Sequence, residues 1–122
     1  MHLSLGALRL DADNPRFGGL PDKAVDQSDI LDHIVDTFGV DDVISSLAVN
    51  GYFDAEPMVC RPVGDGNYVV MEGNRRLSAC LILTGDPRAY RQASKSKQYQ
   101  SIWVAHGKKP VDPVPCIVFS AS

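Results

Sequence analysis

The stretch "VVMEGNRRLSACLIL", residues 69–83, decides the fold. Val69, Val70 and Met71 are an apolar run rich in β-formers, and Gly73 interrupts it. Beyond Asn74, the residues Leu77, Cys80, Leu81 and Thr84 fall on one face at helical spacing. The segment therefore predicts a strand, a sharp turn and a helix, with Asn74 or Gly73 as N-cap and Gly85 as the stop. Two arginines, Arg75 and Arg76, land in the first helical turn. The amide ends there already carry partial positive charge, at a cost of about 0.3–1 kcal/mol per added cation.

Working upstream, "MVCRPV" (58–63), "GDGN" (64–67) and "YVVM" (68–71) predict a hairpin whose second strand feeds the helix. Both strands are apolar at most positions, which predicts that both faces are covered. Before the hairpin, a helix starts at Asp41, carries Val43, Ile44, Leu47 and Ala48 as its apolar stripe, and stops at Gly51. An earlier helix is capped by Asp26 or Ser28 and runs to about Phe38, with Ile30, Leu31, Ile34 and Val35 recurring at helical spacing and Gly39 ending it. A short strand is expected from Leu5 to Leu10, halted by Asp13, Asn14 and Pro15. Downstream, "DPRAYRQASKSKQYQSIWVAHG" (86–107) opens with Pro87 at a helix-starting position. Its periodicity is weak, and "SKSKQYQS" (94–101) reads as a loop. "VPCIVFS" (114–120) reads as a final strand. The expected class is α+β, a small mixed sheet with flanking helices, in one domain spanning residues 1–122. The chain stops soon after its last strand, which leaves room for it to be the front part of a longer protein.

With 44% hydrophobic and 22% charged residues the composition is that of an ordinary soluble globular domain. No apolar run approaches the roughly 20 residues that span a bilayer, and the first residues lack a signal-peptide pattern. The expected location is cytoplasmic, with no membrane partner. Cys60, Cys80 and Cys116 are widely spaced without a C-x-x-C pair, and read as buried, reduced thiols. His2, His33 and His106 are scattered, so no metal site is expected from protein side chains alone.

The formal net charge is −3, which argues against a dedicated DNA binder. The distribution is polarised. Residues 1–65 carry twelve acidic residues against Arg9, Arg16, Lys23 and Arg61. Residues 75–109 carry the other eight basic residues, and only Asp86 is acidic among them. Such segregation can make a local anion-attracting field. Arg88, Arg91, Lys95 and Lys97, with Tyr90, Tyr99 and Trp103 nearby, are the candidate nucleic-acid contacts.

The arginine pair makes sense if an anion is present. A helix start offers unpaired N–H groups and the positive end of the dipole. Gly73 permits close approach, and guanidinium forks match phosphate oxygens. Each charge-assisted bond contributes about 1.5–3 kcal/mol, more than the dipole cost. The competing arrangement is internal, with Glu72, Asp65 or Asp11 pairing the arginines.

The run from Asp41 to Leu83, with "LRLDADNPRF" (8–17) before it and "EGNRRLSA" (72–79) as its second box, resembles the N-terminal domain of the ParB family within the ParB/sulfiredoxin superfamily. It is most similar to the "EGNRR" type found outside chromosome segregation. The likeness covers roughly residues 5–84. It implies a small α+β fold and a nucleotide-phosphate site, CTP in ParB proteins. Carried over by position, Gly73, Asn74, Arg75 and Arg76 would cradle phosphates, and Asn14, Pro15 and Arg16 would form the facing wall. The box departs from the family at Asn74, where the family has an acid, and at Ser78, its third basic position. No downstream magnesium ligand is recognisable, so Mg2+ is expected only in company with a nucleotide. Asn74 also stands where sulfiredoxins carry their cysteine, and sulfiredoxin chemistry is rejected. The leading expectation is a regulatory module that binds a nucleotide. The alternatives are a metal-dependent nucleotidase or nuclease-like domain using Glu72 as its catalytic carboxylate, and a non-catalytic nucleic-acid-contacting domain, with DNA reached through a larger protein. The base and the oligomeric state are not legible.

Overall fold

The computed structural model describes residues 1–12 and 26–119. Among these lie β1 (His2–Leu3), β2 (Leu8–Arg9), α1 (Gln27–Phe38), α2 (Asp41–Asn50), β3 (Met58–Gly64), β4 (Asn67–Glu72), α3 (Asn74–Thr84), α4 (Ala93–Ala105) and β5 (Val114–Val118). Short 3-10 turns occupy Leu5–Ala7 and Pro87–Gln92. The strands form a mixed sheet in the order β1-β5-β3-β4-β2. β3 and β4 are the antiparallel hairpin; β5 joins β3 in parallel, β2 joins β4 in parallel, and β1 closes the other edge antiparallel to β5. The α+β expectation, a small mixed sheet with flanking helices, therefore holds. None of the described helices is long and apolar enough to cross a membrane.

Local chemistry explains the helix boundaries. The Asp26 carboxylate accepts from the Asp29 amide and caps α1, and Gly39 takes a positive φ at its end. Asp41 and Asp42 fill the first turn of α2, where the dipole favours anions. Helix α3 is enclosed on nearly every side: every residue from Leu77 to Leu83 is fully buried. It packs against α1, α2 and α4. Each fully buried Leu or Ile there contributes about 1.5–3 kcal/mol of transfer free energy. This central helix, rather than an amphipathic one with a single apolar face, is the scaffold that fixes Arg75 and Arg76.

Three expectations need correction. Residues 5–10 do not form one strand: a 3-10 turn precedes the two-residue β2, and the outer pairing to β5 comes from His2–Leu3. The Arg88 guanidinium donates to the carbonyls of Leu5 and Leu8, and Arg9 donates to Gly6. Side chains thus take backbone acceptors that a longer strand would have paired. Residues 94–101 are helical, not a loop. The inward positions of α4 are Ser96, Tyr99 and Trp103, an i, i+3, i+7 stripe that hydropathy misses because it includes serine and two polar-tipped aromatics. The Tyr99 hydroxyl donates to Asp41 and the Trp103 indole N–H to the Lys109 carbonyl, at 2.8 Å each. Finally, the hairpin is not covered on both faces. Met58 and Cys60 point into the core, while Arg61, Pro62 and Val63 are exposed.

Candidate functional site

The turn from β4 into α3 is built around two residues. Gly73 is the N-cap, at φ +109°, and no side chain caps the helix there. A Cβ on Gly73 would stand 3.0 Å from Met58 Cγ, so conformation and space both demand glycine. Asn74 is buried in the first turn without serving as the cap. Its side-chain amide donates to the Val70 carbonyl at 2.8 Å, and its carbonyl oxygen accepts from the Asp11 amide at 3.0 Å. β2 pairs with β4 only through Leu8–Tyr68 and Arg9–Val69. The Asn74 amide continues that junction one step further, tying β4 to the chain leaving β2. Its side chain is therefore a structural bridge, and only its backbone N–H remains for a ligand.

Arg75 and Arg76 reach sideways from this turn. Arg75 donates through Nε to the Gly39 carbonyl at 2.7 Å and through Nη2 to Asp42 Oδ1 at 2.6 Å. It thereby bridges the end of α1 and the start of α2. Arg76 lies 3.4 Å from Glu56 Oε2 and donates to the Glu56 backbone carbonyl at 3.3 Å. The acids that answer the arginines are thus Asp42 and Glu56. No pairing of either arginine with Glu72, Asp65 or Asp11 is found among the described residues. The hydrogen bond from Arg75 holds the Asp42 carboxyl below its ordinary range. All four side chains remain substantially exposed, from 38% for Arg76 to 70% for Asp42.

The pair sits over a groove of about 480 Å³. Gly73, Asn74, Arg75 and Arg76 line it together with apolar and aromatic residues that include Ile34, Phe38, Leu47, Tyr52, Phe53 and Met71. Phe38 and Phe53 are 43% and 49% exposed. Tyr52 donates its hydroxyl to the Glu56 carbonyl at 2.7 Å, and burial pushes its phenol up to about 12 despite Arg76 nearby. It stays neutral at physiological pH. Glu72 also lines the groove. Among the described residues the charged groups lining the groove are Arg75, Arg76, Asp42, Glu56 and Glu72. Sequence reasoning found the Gly73–Arg76 segment but missed Phe38, Tyr52 and Phe53 as sharing its groove. Their only sequence signal is that Phe53 and Tyr52 interrupt an otherwise polar connection.

Asn14 and Arg16, the expected facing wall, lie outside the described residues. Ser78, at the box's third basic position, is fully buried with its hydroxyl unpaired and cannot reach the groove. The four candidate nucleic-acid residues do not form a free cationic stripe. Arg88 is largely buried, held by Asp86 and two backbone carbonyls. Arg91 pairs with both Asp29 and Asp32, and Lys95 with Asp41. Among the described residues only Lys97 of the four is without an ion pair. The polarised charge of the sequence is thus largely spent internally, the basic second half stitching down the acidic first half. Cys60, Cys80 and Cys116 are buried and free. Burial raises all three thiols, Cys60 to about 12. Among the described residues no group of three acidic, histidine or cysteine side chains is placed to hold a metal.

No protein-family model matches this chain, and no curated protein or solved structure does either.

Proposed function

We propose that the groove binds a nucleotide, with its phosphates against Gly73–Arg76 and its base toward Phe38 and Phe53, and that the domain serves as a nucleotide-responsive module of the ParB-like kind. The observation that carries this reading is that two guanidinium groups, on the first turn of a helix with no side-chain cap, line one groove together with the exposed rings of Phe38 and Phe53. Phosphate binding draws on the helix amides and the arginine forks; exposed aromatic faces suit a base. The existing ion pairs are no obstacle in magnitude, because exposed pairs contribute only about 0–1 kcal/mol. A charge-assisted bond to phosphate is worth about 1.5–3 kcal/mol. Such a nucleotide would carry Mg2+ on its phosphates. That ion takes most of its ligands from phosphate and water, and needs at most one or two protein carboxylates; Glu72, which lines the groove, is the candidate.

The test is calorimetric titration of the intact protein with CTP, ATP, GTP and UTP, each with Mg2+. Saturable binding to at least one, abolished in Arg75→Ala and Arg76→Ala, supports the reading. Absence of heat with all four, both in the wild type and with Asp42 or Glu56 neutralised, refutes it. Metal-dependent phosphate release that Glu72→Gln removes would reassign the groove to a nucleotidase.

A further inference from the structure

We infer that Asp42 and Glu56 are built-in competitors of the ligand, holding the groove self-closed until an anion displaces them. The inference rests on the nucleotide reading above and adds a regulatory contact to it. Both arginines have settled on the protein's own oxygens, and on both a backbone carbonyl joins the carboxylate: Gly39 with Asp42, and Glu56 with itself. The two competitors come from different elements. Asp42 belongs to the first turn of α2, and the hydrogen bond from Arg75 holds its carboxyl below the ordinary range. Glu56 lies in the connection between α2 and β3. Neither carboxylate supports the core, since both are more than half exposed. Their contacts run to the arginines of the groove. An arriving phosphate offers each guanidinium a bidentate acceptor of higher charge, and the Asp42 and Glu56 carboxylates are released to water. For Arg75 the exchange also unties the α1–α2 corner, because the same side chain holds the Gly39 carbonyl.

The experiment measures affinity for Mg2+–CTP and for Mg2+–tripolyphosphate in the wild type, Asp42→Asn, Glu56→Gln and Asp65→Asn. Asp65 sits in the hairpin turn at the opposite end of β4, at a positive φ of 55° that asparagine also accepts. It controls for a change in net charge. Each groove variant should bind about two- to fivefold more tightly, the span expected on freeing an exposed ion pair, while Asp65→Asn stays at the wild-type value. Binding by the groove variants alone, with a silent wild type, supports strong self-closure. Equal or weaker binding by Asp42→Asn and Glu56→Gln overturns the inference and leaves the groove standing. An equal gain in Asp65→Asn also overturns it, as a general charge effect. Silence from all four proteins removes the inference and the nucleotide reading together.

Discussion

Replacing Asn74 by alanine tests whether the "EGNRR" asparagine is structural. The side chain makes two hydrogen bonds to backbone groups, at 2.8 and 3.0 Å, from a position 6% exposed. Each contributes about 1 kcal/mol net, and a partner left unpaired in a buried place costs about 1–3 kcal/mol. Val70 is fully buried, so its carbonyl cannot turn to water. The expected loss is about 2–4 kcal/mol, measured as a shift in urea midpoint at constant slope. At about 3–5 °C per kcal/mol for a chain this size, the melting temperature should fall by about 6–20 °C. Asn74→Asp is sharper, because it removes only the donating half of the amide. A carboxylate still accepts from the Asp11 amide but cannot donate to the Val70 carbonyl. Its protonated form can, so the folded pKa of the introduced carboxyl lies above the unfolded value. The variant should be destabilised at about pH 7.5 and regain stability as pH falls through that raised pKa. Two results would refute the structural assignment. One is a melting temperature for Asn74→Ala within about 2 °C of wild type, equivalent to roughly 0.5 kcal/mol. The other is an Asn74→Asp variant as stable as wild type at neutral pH.

Further outcomes follow from the same contacts. Gly73→Ala forces a left-handed conformation and a 3.0 Å approach to Met58; a loss of about 1–3 kcal/mol is expected by chemical denaturation. Arg88→Ala strands the partly buried Asp86 and two carbonyls, and should cost about 2–4 kcal/mol by the same measurement. With burial raising all three thiols, none should react with a disulfide reagent at about pH 8 in the native protein, and all three should react in urea. Asp41 is depressed by its bonds from Lys95 and Tyr99, and Asp86 is depressed because the Arg88 bonds outweigh the opposing effect of its burial. A depressed folded pKa stabilises above the unfolded value, near about 3.9, so stability should hold at neutral pH and fall as pH drops below about 4. Thermal melts from acid to neutral pH check the sign.

The elements that depend on neighbours in sequence were legible. Asp26, Asp41, Gly39, Gly51 and Gly85 mark helix ends by local hydrogen bonding and backbone conformation, and the 64–67 turn marks the hairpin. The Gly73–Arg76 wall was legible for the same reason: a glycine and two arginines at a strand-to-helix turn need no distant information to be conspicuous. The partners that give those residues their meaning were not. Arg75 meets Asp42 across 33 positions and Arg91 meets Asp29 across 62. A charge pattern states how many cations must be answered but not which acid is in reach. Helix α4 was hidden because its inward stripe is closed by hydrogen bonds from Tyr99 and Trp103 rather than by hydrophobicity. The two-residue β1 and β2 are too short to carry a periodic signal, and they exist because β5 and β4 offer them an edge. Local backbone preference thus determined where the helices and the hairpin start and stop. Only the packed chain decided which carboxylates meet the arginines, which rings line the same groove, and that Asn74 bridges strands rather than capping a helix, because those contacts depend on distances that folding alone sets.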